Sequence, residues 1–531
     1  MATAPSRPAP ARRDATALID NLSLDETGPE GRPQQLYKAL QSLVLSGALR
    51  PGTKLPSTRR LALHLSLART SVVATYERLM AEGYIEGRHG SGTYVSRELA
   101  RTVPAPLKGK ALPKASSAPR LSTRGQAVLR LGGAVRQAEI RIFSPGIPAL
   151  DAFPLEEWRR ALARVCRHYG RQLLIAADPR GWPALRRAIA AYLAGARGVV
   201  CAPDQVIILT SARQAIDLAA RLLAEPGDAI WAEEPGYAET RAALEGAGLE
   251  LVFVPVDQQG LVTAAGRKAA ANARLAAVTP SHHYPLGVTM SLSRRLDLLD
   301  WARNAHAIVI EDDFNGEFRY GGRPITALYG LDGGERVIYV GTFSRALFPA
   351  LRLAYMVTPA PLTDAFVAGR SQLDGYAVAI TQAAVAAFME DGSFAAHIRR
   401  MRALYKERQD TLLTLARRHL AGVLELEPSD AGLHLVGRLA AGLSDEAVVA
   451  ALRDTRTAPA ALSRFYGKRP LPGRPQVSGL VLNYAGWDEP ALREGVMTLA
   501  KAIEIVAKGR RAQHATGGAR VKVCAPDPSR A

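Results

Sequence analysis

The chain has 531 residues, 48% of them hydrophobic, with 68 Lys+Arg against 49 Asp+Glu and a formal net charge of +19. That length exceeds a single hydrophobic core and predicts two or more domains. The charge predicts a polyanionic partner, nucleic acid first, unless it merely marks basic tails. The cysteines, Cys166, Cys201 and Cys524, are odd in number and form no CxxC, which excludes a disulfide framework or a zinc site as an economical reading. No apolar run approaches the ~18 residues that span a bilayer. The opening MATAPSRPAPARRD has no apolar signal core, so a cytoplasmic protein without a membrane segment is expected.

Residues 1–32 are polar and aperiodic, and a disordered N-terminal tail is expected there. Leu36, Leu40, Leu43 and Val44 fall at helical spacing and predict a first helix, ended by Pro51-Gly52. Ser57 is a good N-cap for a second helix, Thr58 to Leu65, with Leu61, Ala62 and Leu65 inward. After Ser66-Leu67-Ala68 a third helix is predicted from Arg69 to Ala81, carrying Val72, Val73, Tyr76 and Leu79. YIEGRHGSGTYV then reads as two short strands around a glycine-rich turn. Three helices and a hairpin make a winged helix-turn-helix, assigned to 33–96. Arg59, Arg60, Arg69 and Arg88 fall on elements that would face DNA, although such a module can also make only protein contacts. An arginine opening a helix opposes the macrodipole, so Arg69 calls for an external anion.

From 97 to 141 the chain holds ten Lys/Arg against two Glu among Pro, Ser and Gly, a basic flexible linker. From 142 to 507 apolar strand-like runs alternate with helical patterns, predicting an α/β domain with a mainly parallel sheet, and 508–531 reads as a basic disordered tail. Ligands gather beyond the carboxyl ends of parallel strands. Val206 to Leu209 leads into Thr210-Ser211-Ala212-Arg213 and a helix start, which offers backbone N–H groups, a hydroxyl and a cation to a phosphate. Ala229 to Ala232 leads into Glu233-Glu234-Pro235-Gly236-Tyr237, Leu275 to Thr279 into PSHHYPLG, and Ala307 to Ile310 into Glu311-Asp312-Asp313-Phe314. Val337 to Val340 leads into GTFSRALFPALRLAY. Together these suit a phosphorylated, nitrogen-containing aromatic ring. Taken singly, EDD suits a solvated loop or a metal, Tyr237 suits packing, and His282-His283 suits polar surface or a satisfied loop pair, with no third metal ligand at usable spacing.

The segment from LYKALQSLVL to GSGTYV resembles the GntR-type winged helix along its whole length, through PGTKLPSTRRLA, RTSV, YERLMAEGY and GSGTYV. That resemblance implies Arg59, Arg69, Thr70, Ser71, His89 and Gly90 at the DNA. Two positions depart from the usual turn: Ser66 replaces a glycine and must take its conformation with a Cβ, and Ala68 replaces a serine that would cap the third helix. FSPGIPALDAFP, DPRGWPALRRAIAAYL, EEPGY, VTPSHHYPLG, IEDDFNGEFRY and VIYVGTFSRALFPALRLAYMV resemble the fold-type I, class I/II pyridoxal-phosphate aminotransferases. With the N-terminal module, the chain resembles the MocR/GabR-type transcriptional regulators over about 33–507. The implied fold is a winged helix joined to a large aminotransferase-like domain with a mainly parallel central sheet and a smaller C-terminal α+β subdomain, with homodimerisation.

The same resemblance implies that Tyr237 stacks on the cofactor ring, that Asp312 pairs with the pyridine nitrogen, and that Ser211, Ala212, Thr342, Ser344 and Arg352 lie at the phosphate, with Pro285 and Gly287 shaping the turn beside the ring. The family's Schiff-base lysine is Arg345 here. A guanidinium stays protonated and makes no usable imine, so covalent attachment of pyridoxal 5'-phosphate and the lysine's acid–base role are expected to be lost. Phe314 lacks the phenol expected beside the ring oxygen, Ser211 and Arg213 stand where a glycine and a glutamine are usual, and GLVLNYAGW has no arginine for a substrate carboxylate. The site therefore binds pyridoxal phosphate non-covalently, binds another anionic effector, or stays empty as a scaffold. The leading expectation is a regulator that binds double-stranded operator DNA and senses a small molecule (pyridoxal phosphate, an amino acid or an amine). The alternatives are a pyridoxal-phosphate-dependent aminotransferase acting on an amino acid or amine, and a purely structural DNA-binding dimer.

Overall fold

In the computed structural model the described residues are 30–88, 90–98, 139–175, 178–321, 325–467 and 476–517, with single positions at 19, 22, 24, 25, 120–122, 125, 126, 129 and 471. The chain divides into two units, 1–120 and 121–531. Most of the expected linker, His89 and the stretch 518–531 lie outside the described residues.

In the first unit, α1 (Arg32–Leu45), α2 (Thr58–His64) and α3 (Arg69–Ala81) precede an antiparallel hairpin of β1 (Ile85–Arg88) and β2 (Gly92–Val95). Leu36, Leu40, Leu61, Val72, Tyr76 and Leu79 are buried together, the periodic positions of three amphipathic helices meeting in one core. Ile19, inside the stretch expected to be disordered, is fully buried in this core, with Leu22 and Leu24 packed against it; the short apolar pattern Ile19, Leu22, Leu24 outweighs the polar composition around it. α1 ends earlier than expected, at Leu45, because Gly47 turns the chain at φ 72 before Pro51-Gly52 is reached. Ser57 caps α2 by accepting from the Arg60 N–H at 3.3 Å. Both departures in the turn have their expected local consequences. Ser66 sits at φ 51, and Ala68 caps α3 with no side-chain hydrogen bond.

The second unit is built on an eight-stranded sheet, β3 (Val206–Leu209), β10 (Ala354–Val357), β9 (Val337–Thr342), β8 (Ile308–Asp312), β7 (Leu275–Val278), β4 (Ala229–Glu234), β5 (Glu250–Asp257) and β6 (Gly260–Leu261) in spatial order. The pairs from β9 through β5 are parallel, while β10 is antiparallel to both neighbours and β6 antiparallel to β5. The central strands are apolar at successive positions because helices cover both faces. Val206 and Ile208 pack into one core, Ile207 and Leu209 into the other, the period-two alternation of a sheet buried on both sides. β4, β8 and β9 run two residues further than the sequence indicated, so Glu233, Glu234, Asp312 and Thr342 lie within the strands.

A four-stranded antiparallel sheet follows: β11 (Leu424–Leu426), β12 (His434–Leu439), β14 (Gly479–Asn483) and β13 (Ala460–Ala461). Helices Ser393–His419, Asp445–Ala451 and Glu489–Gly517 complete this α+β part. The last helix runs to Gly517, past the expected tail boundary, and a Glu504–Lys508 pair at 2.6 Å at i,i+4 spacing supports the extension. None of the described helices is long and apolar enough to cross a membrane.

Relieving the positive φ and restoring the cap should both stabilise the first unit. Ser66→Gly and Ala68→Ser are each expected to add about 1 kcal/mol, read as a higher urea midpoint for the N-terminal transition of the full chain.

Candidate functional site

On the first unit, Arg59 on α2 and Arg69 and Thr70 at the start of α3 are exposed, and Ser71 is half-buried beside them. Arg59 and Arg69 have no hydrogen bond or ion pair among the described residues. The uncapped first turn of α3 directs its N–H groups outward, next to Arg69. Gly90 lies in the hairpin turn at φ 71 with open space around it, so a backbone can come close there. Arg88 departs from the expected DNA-facing cluster. It pairs with Glu86 at 2.7 Å and lies over the Tyr94 ring at 4.6 Å, so the wing itself occupies it.

On the second unit, sheet register brings together residues that are far apart in sequence. Ala354 of β10 is flanked by Leu209 of β3 and Thr342 of β9. Strands lie about 4.8 Å apart, so Ser211 two residues past Leu209, Ser344 two past Thr342, and Arg352 two before Ala354 gather at one corner. Ser211 caps the helix Ala212–Leu223 by accepting from the Gln214 N–H at 3.2 Å. Thr342 accepts from the Ser344 N–H at 3.2 Å. Each hydroxyl keeps its own proton for an external acceptor. Arg352, at φ 50, and Arg213 are exposed with no partner among the described residues. The corner thus offers hydroxyls, helix-start N–H groups and two cations, a set matched to a phosphate.

Asp312 ends β8, in register with Val340 on β9. It is buried, and its Oδ1 has no hydrogen-bond partner. Burial raises its pKa to about 7, the charge of Asp313 adds to the rise, and the charge of Arg345 opposes it. Beside it Tyr237, half-buried after β4, meets Tyr284 edge to face at 5.4 Å. Tyr284 in turn packs edge-on against Phe314 at 5.8 Å, His434 at 5.1 Å and Phe465 at 5.2 Å. An aromatic wall thus adjoins an unpaired carboxylate. Tyr284, His434 and Phe465 were not singled out by sequence; Tyr284 adjoins the noted Pro285, whereas the other two arrive from the C-terminal part with no local signal.

Arg345 lies in the short helix after β9, and its Nη1 donates to the carbonyl of Gly146. Its charge also acts on Tyr237, Tyr284 and His434, which places the guanidinium among the ring-pocket residues. Gly146 has φ 73, and a Cβ there would overlap the guanidinium.

The histidine pair is not surface. His282 and His283 are each 2% exposed, and burial holds both well below the ordinary histidine range, His283 at about 3. The Leu286 N–H donates to Nδ1 of His283 at 3.3 Å, while neither nitrogen of His282 has a partner. Likewise Glu311, Asp312 and Asp313 form no solvated loop. All three are buried, Asp313 in a pair with Arg197 at 2.7 Å that Tyr339 joins at 2.6 Å, and Glu311 accepting from the N–H groups of Leu328 and Tyr329. Among the described residues no group of three His, Cys, Asp or Glu is placed to hold a metal ion. In GLVLNYAGW, Val481 packs into an apolar cluster with Leu462 and Phe465.

Comparison with known proteins matches both units. Residues 33–95 match the family described as bacterial regulatory proteins, gntR family, and 142–462 match aminotransferase class I and II. The "Probable rhizopine catabolism regulatory protein MocR" of Rhizobium meliloti is 40% identical over 484 residues, 91% of this chain and 95% of that protein. The HTH-type pyridoxine biosynthesis transcriptional regulator PdxR of Corynebacterium glutamicum is 31% identical over 91% of this chain and 98% of its own length. Among solved structures, the α-aminoadipate aminotransferase LysN of Thermus thermophilus, complexed with N-(5'-phosphopyridoxyl)-L-leucine, superposes with a TM-score of 0.64 at 25% identity, covering 73% of this chain and 96% of that one.

The Asp312 carboxyl gives a pH test. Folded, it holds its proton up to about pH 7; unfolded, an aspartate ionises near 3.9. The folded state therefore binds the extra proton between those values, and stability falls as pH rises through the window. Asp312→Asn removes the titration. Relative to the variant, wild-type stability in urea is expected to drop by about 1 kcal/mol per pH unit between pH 5 and 7.

Proposed function

The chain belongs to the MocR-type transcriptional regulators, in which a GntR-family winged helix is joined to a class I and II aminotransferase domain, and on that premise we propose that its aminotransferase-like pocket binds a phosphorylated pyridine without covalent attachment and so regulates DNA binding. The observation that carries the reading is Asp312, a buried carboxylate whose Oδ1 has no partner beside an aromatic wall. Such an atom is costly unless a ligand supplies a donor. A protonated ring nitrogen is that donor, and it also favours the ionised form of Asp312.

Tested against pyridoxal 5'-phosphate, the residues fit at two ends and not at the third. Asp312 holds the ring nitrogen, Tyr237 covers the ring, and Ser211, Thr342, Arg352 and the N–H groups from Ala212 and Ser344 hold the phosphate. At the aldehyde end stands Arg345, which has no deprotonated amine to offer, and Phe314 presents a ring edge without a hydroxyl. When bound, the cofactor supplies an aldehyde and an electron-withdrawing ring. This chain's residues bind and orient it, but none at the lysine position shuttles a proton, so the domain senses and does not transaminate.

The winged helix reads double-stranded DNA through Arg69, Thr70 and Ser71 at the start of α3, with Arg59, His89 and Gly90 on the backbone. The basic stretch 97–141 tethers it and adds salt-dependent attraction. Two copies associate through apolar surface on the second unit, where Leu174 is 83% exposed and Val378 64%.

Three outcomes are expected. Arg69→Ala weakens a gel shift on operator-containing DNA and flattens its dependence on salt; an unchanged shift counts against the DNA-facing assignment. Pyridoxal phosphate raises the thermal midpoint of the wild type, yet mass spectrometry after borohydride treatment finds the native mass, whereas Arg345→Lys acquires an adduct; an adduct on the wild type refutes the non-covalent reading. In light scattering, the double change Leu174→Glu and Val378→Glu shifts a dimeric particle towards half its mass.

A further inference from the structure

The segment 141–149 joins the pocket domain to the stretch that leads back to the winged helix. Its fastenings fall into two classes. On one side it is fixed to the C-terminal part. Nη1 of Arg141 donates to the carbonyls of Arg453 at 2.7 Å and Thr455 at 2.9 Å, Ile142 exchanges backbone bonds with Arg456 and Ala458 at 2.7 Å each, and Nδ2 of Asn483 donates to the carbonyls of Ser144 and Ile147 at 2.9 Å each. On the other side, among the described residues, a single hydrogen bond ties it to the pocket, from Arg345 to the carbonyl of Gly146. That is the only hydrogen bond Arg345 makes among the described residues. Gly146 admits the contact because it has no Cβ and takes a positive φ.

We propose that Arg345 is a latch: with no ligand near it the guanidinium holds the Gly146 carbonyl, and a ligand oxygen brought alongside draws the guanidinium away and frees the arm. The inference rests on the reading of the pocket as a phosphorylated-ring site and adds how occupancy leaves that pocket. The neutral carbonyl of Gly146 is a weaker partner for a guanidinium than the anionic ring oxygen of a phosphorylated pyridine, and an aldehyde oxygen beside that ring oxygen adds a second acceptor where an ammonium would repel. The displacement is therefore driven by differential interaction. Asn483 holds the carbonyls on either side of Gly146, so the arm loosens at one point and does not come away from the C-terminal sheet.

The latch also selects its ligand. Arg345 is a permanent cation, so a group carrying an oxygen next to it opens the latch, and an ammonium there is repelled. Pyridoxal phosphate and pyridoxamine phosphate share the ring and the phosphate and differ only in that group.

Hydrogen exchange on the full-length protein tests this, with thermal shift run alongside as the measure of binding. Pyridoxal phosphate is expected to speed exchange of the amides in 141–149 roughly tenfold, whereas pyridoxamine phosphate at saturation leaves it unchanged. In Arg345→Gln the arm exchanges fast from the start and pyridoxal phosphate adds nothing. Gly146→Ala, which pushes the guanidinium aside without removing it, gives the same fast exchange and covers the case in which Arg345→Gln fails to fold. A thermal shift with unchanged arm exchange in the wild type overturns the latch and leaves the ring-pocket reading standing. No thermal shift with either compound overturns both. Equal acceleration by the two compounds overturns the latch as a selector of oxygen over ammonium.

Discussion

A positive charge that cannot be discharged acts on a buried carboxylate with an unpartnered oxygen, and the electrostatics of this pocket follow from that pairing. Asp312 is buried at a strand end with one oxygen unpartnered. Arg345 lowers the cost of its ionisation through the low-dielectric interior, but the geometry gives the guanidinium's hydrogen bond to a backbone carbonyl instead. A lysine at the same turn could lose its proton and become a nucleophile. The arginine remains a donor and a charge at any physiological pH. At that turn the side chain therefore acts through charge and hydrogen bonding and not as a nucleophile.

The parallel sheet makes the pairing available. β4, β7, β8 and β9 point their carboxyl ends the same way, and each delivers one component: Tyr237, the turn of Tyr284 and Pro285, Asp312, and Thr342 with Arg345. β10 runs antiparallel, so it brings Arg352 to the same edge by its entry instead of its exit. Helices on both faces keep the strands apolar and exclude water from the ends, and that exclusion raises the affinity of Asp312 for a proton. The neighbouring histidines are held neutral by the same burial, so they add no positive charge beside Arg345.

Much of this was legible in the sequence. Helix periodicity and the Ser57 cap located the second and third helices of the winged module to within a residue, because amphipathic spacing and capping are local properties, while the first ended several residues short of its expected stop. The strand runs and the polar residues at their ends also lay where expected, with strands extending up to two residues further where ladder partners continued the pairing. Less visible was which polar residues are buried. Taken singly, His282-His283 read as polar surface or a satisfied loop pair and Glu311-Asp312-Asp313 as a solvated loop or a metal site, and the structure encloses them, since Arg197, Tyr339 and backbone N–H groups from distant segments supply partners for Asp313 and Glu311. Arg88 read as a DNA contact until the wing folded and put Glu86 and Tyr94 within its reach. Ile19 and the helix beyond 507 were lost to composition, which averages over the few positions that pack.

The sequence by itself determined the two modules, the order of the strand-end residues, and the identity of Arg345, since these depend on local pattern and on which atom types are present. Only the tertiary structure decided what Arg345 touches. Gly146 lies 199 residues away in sequence, and no spacing rule links a glycine in an extended arm to an arginine after a central strand. That contact exists because the C-terminal sheet, through Asn483, holds the arm beside Arg345, and such a placement is set by packing between elements and not by any one of them.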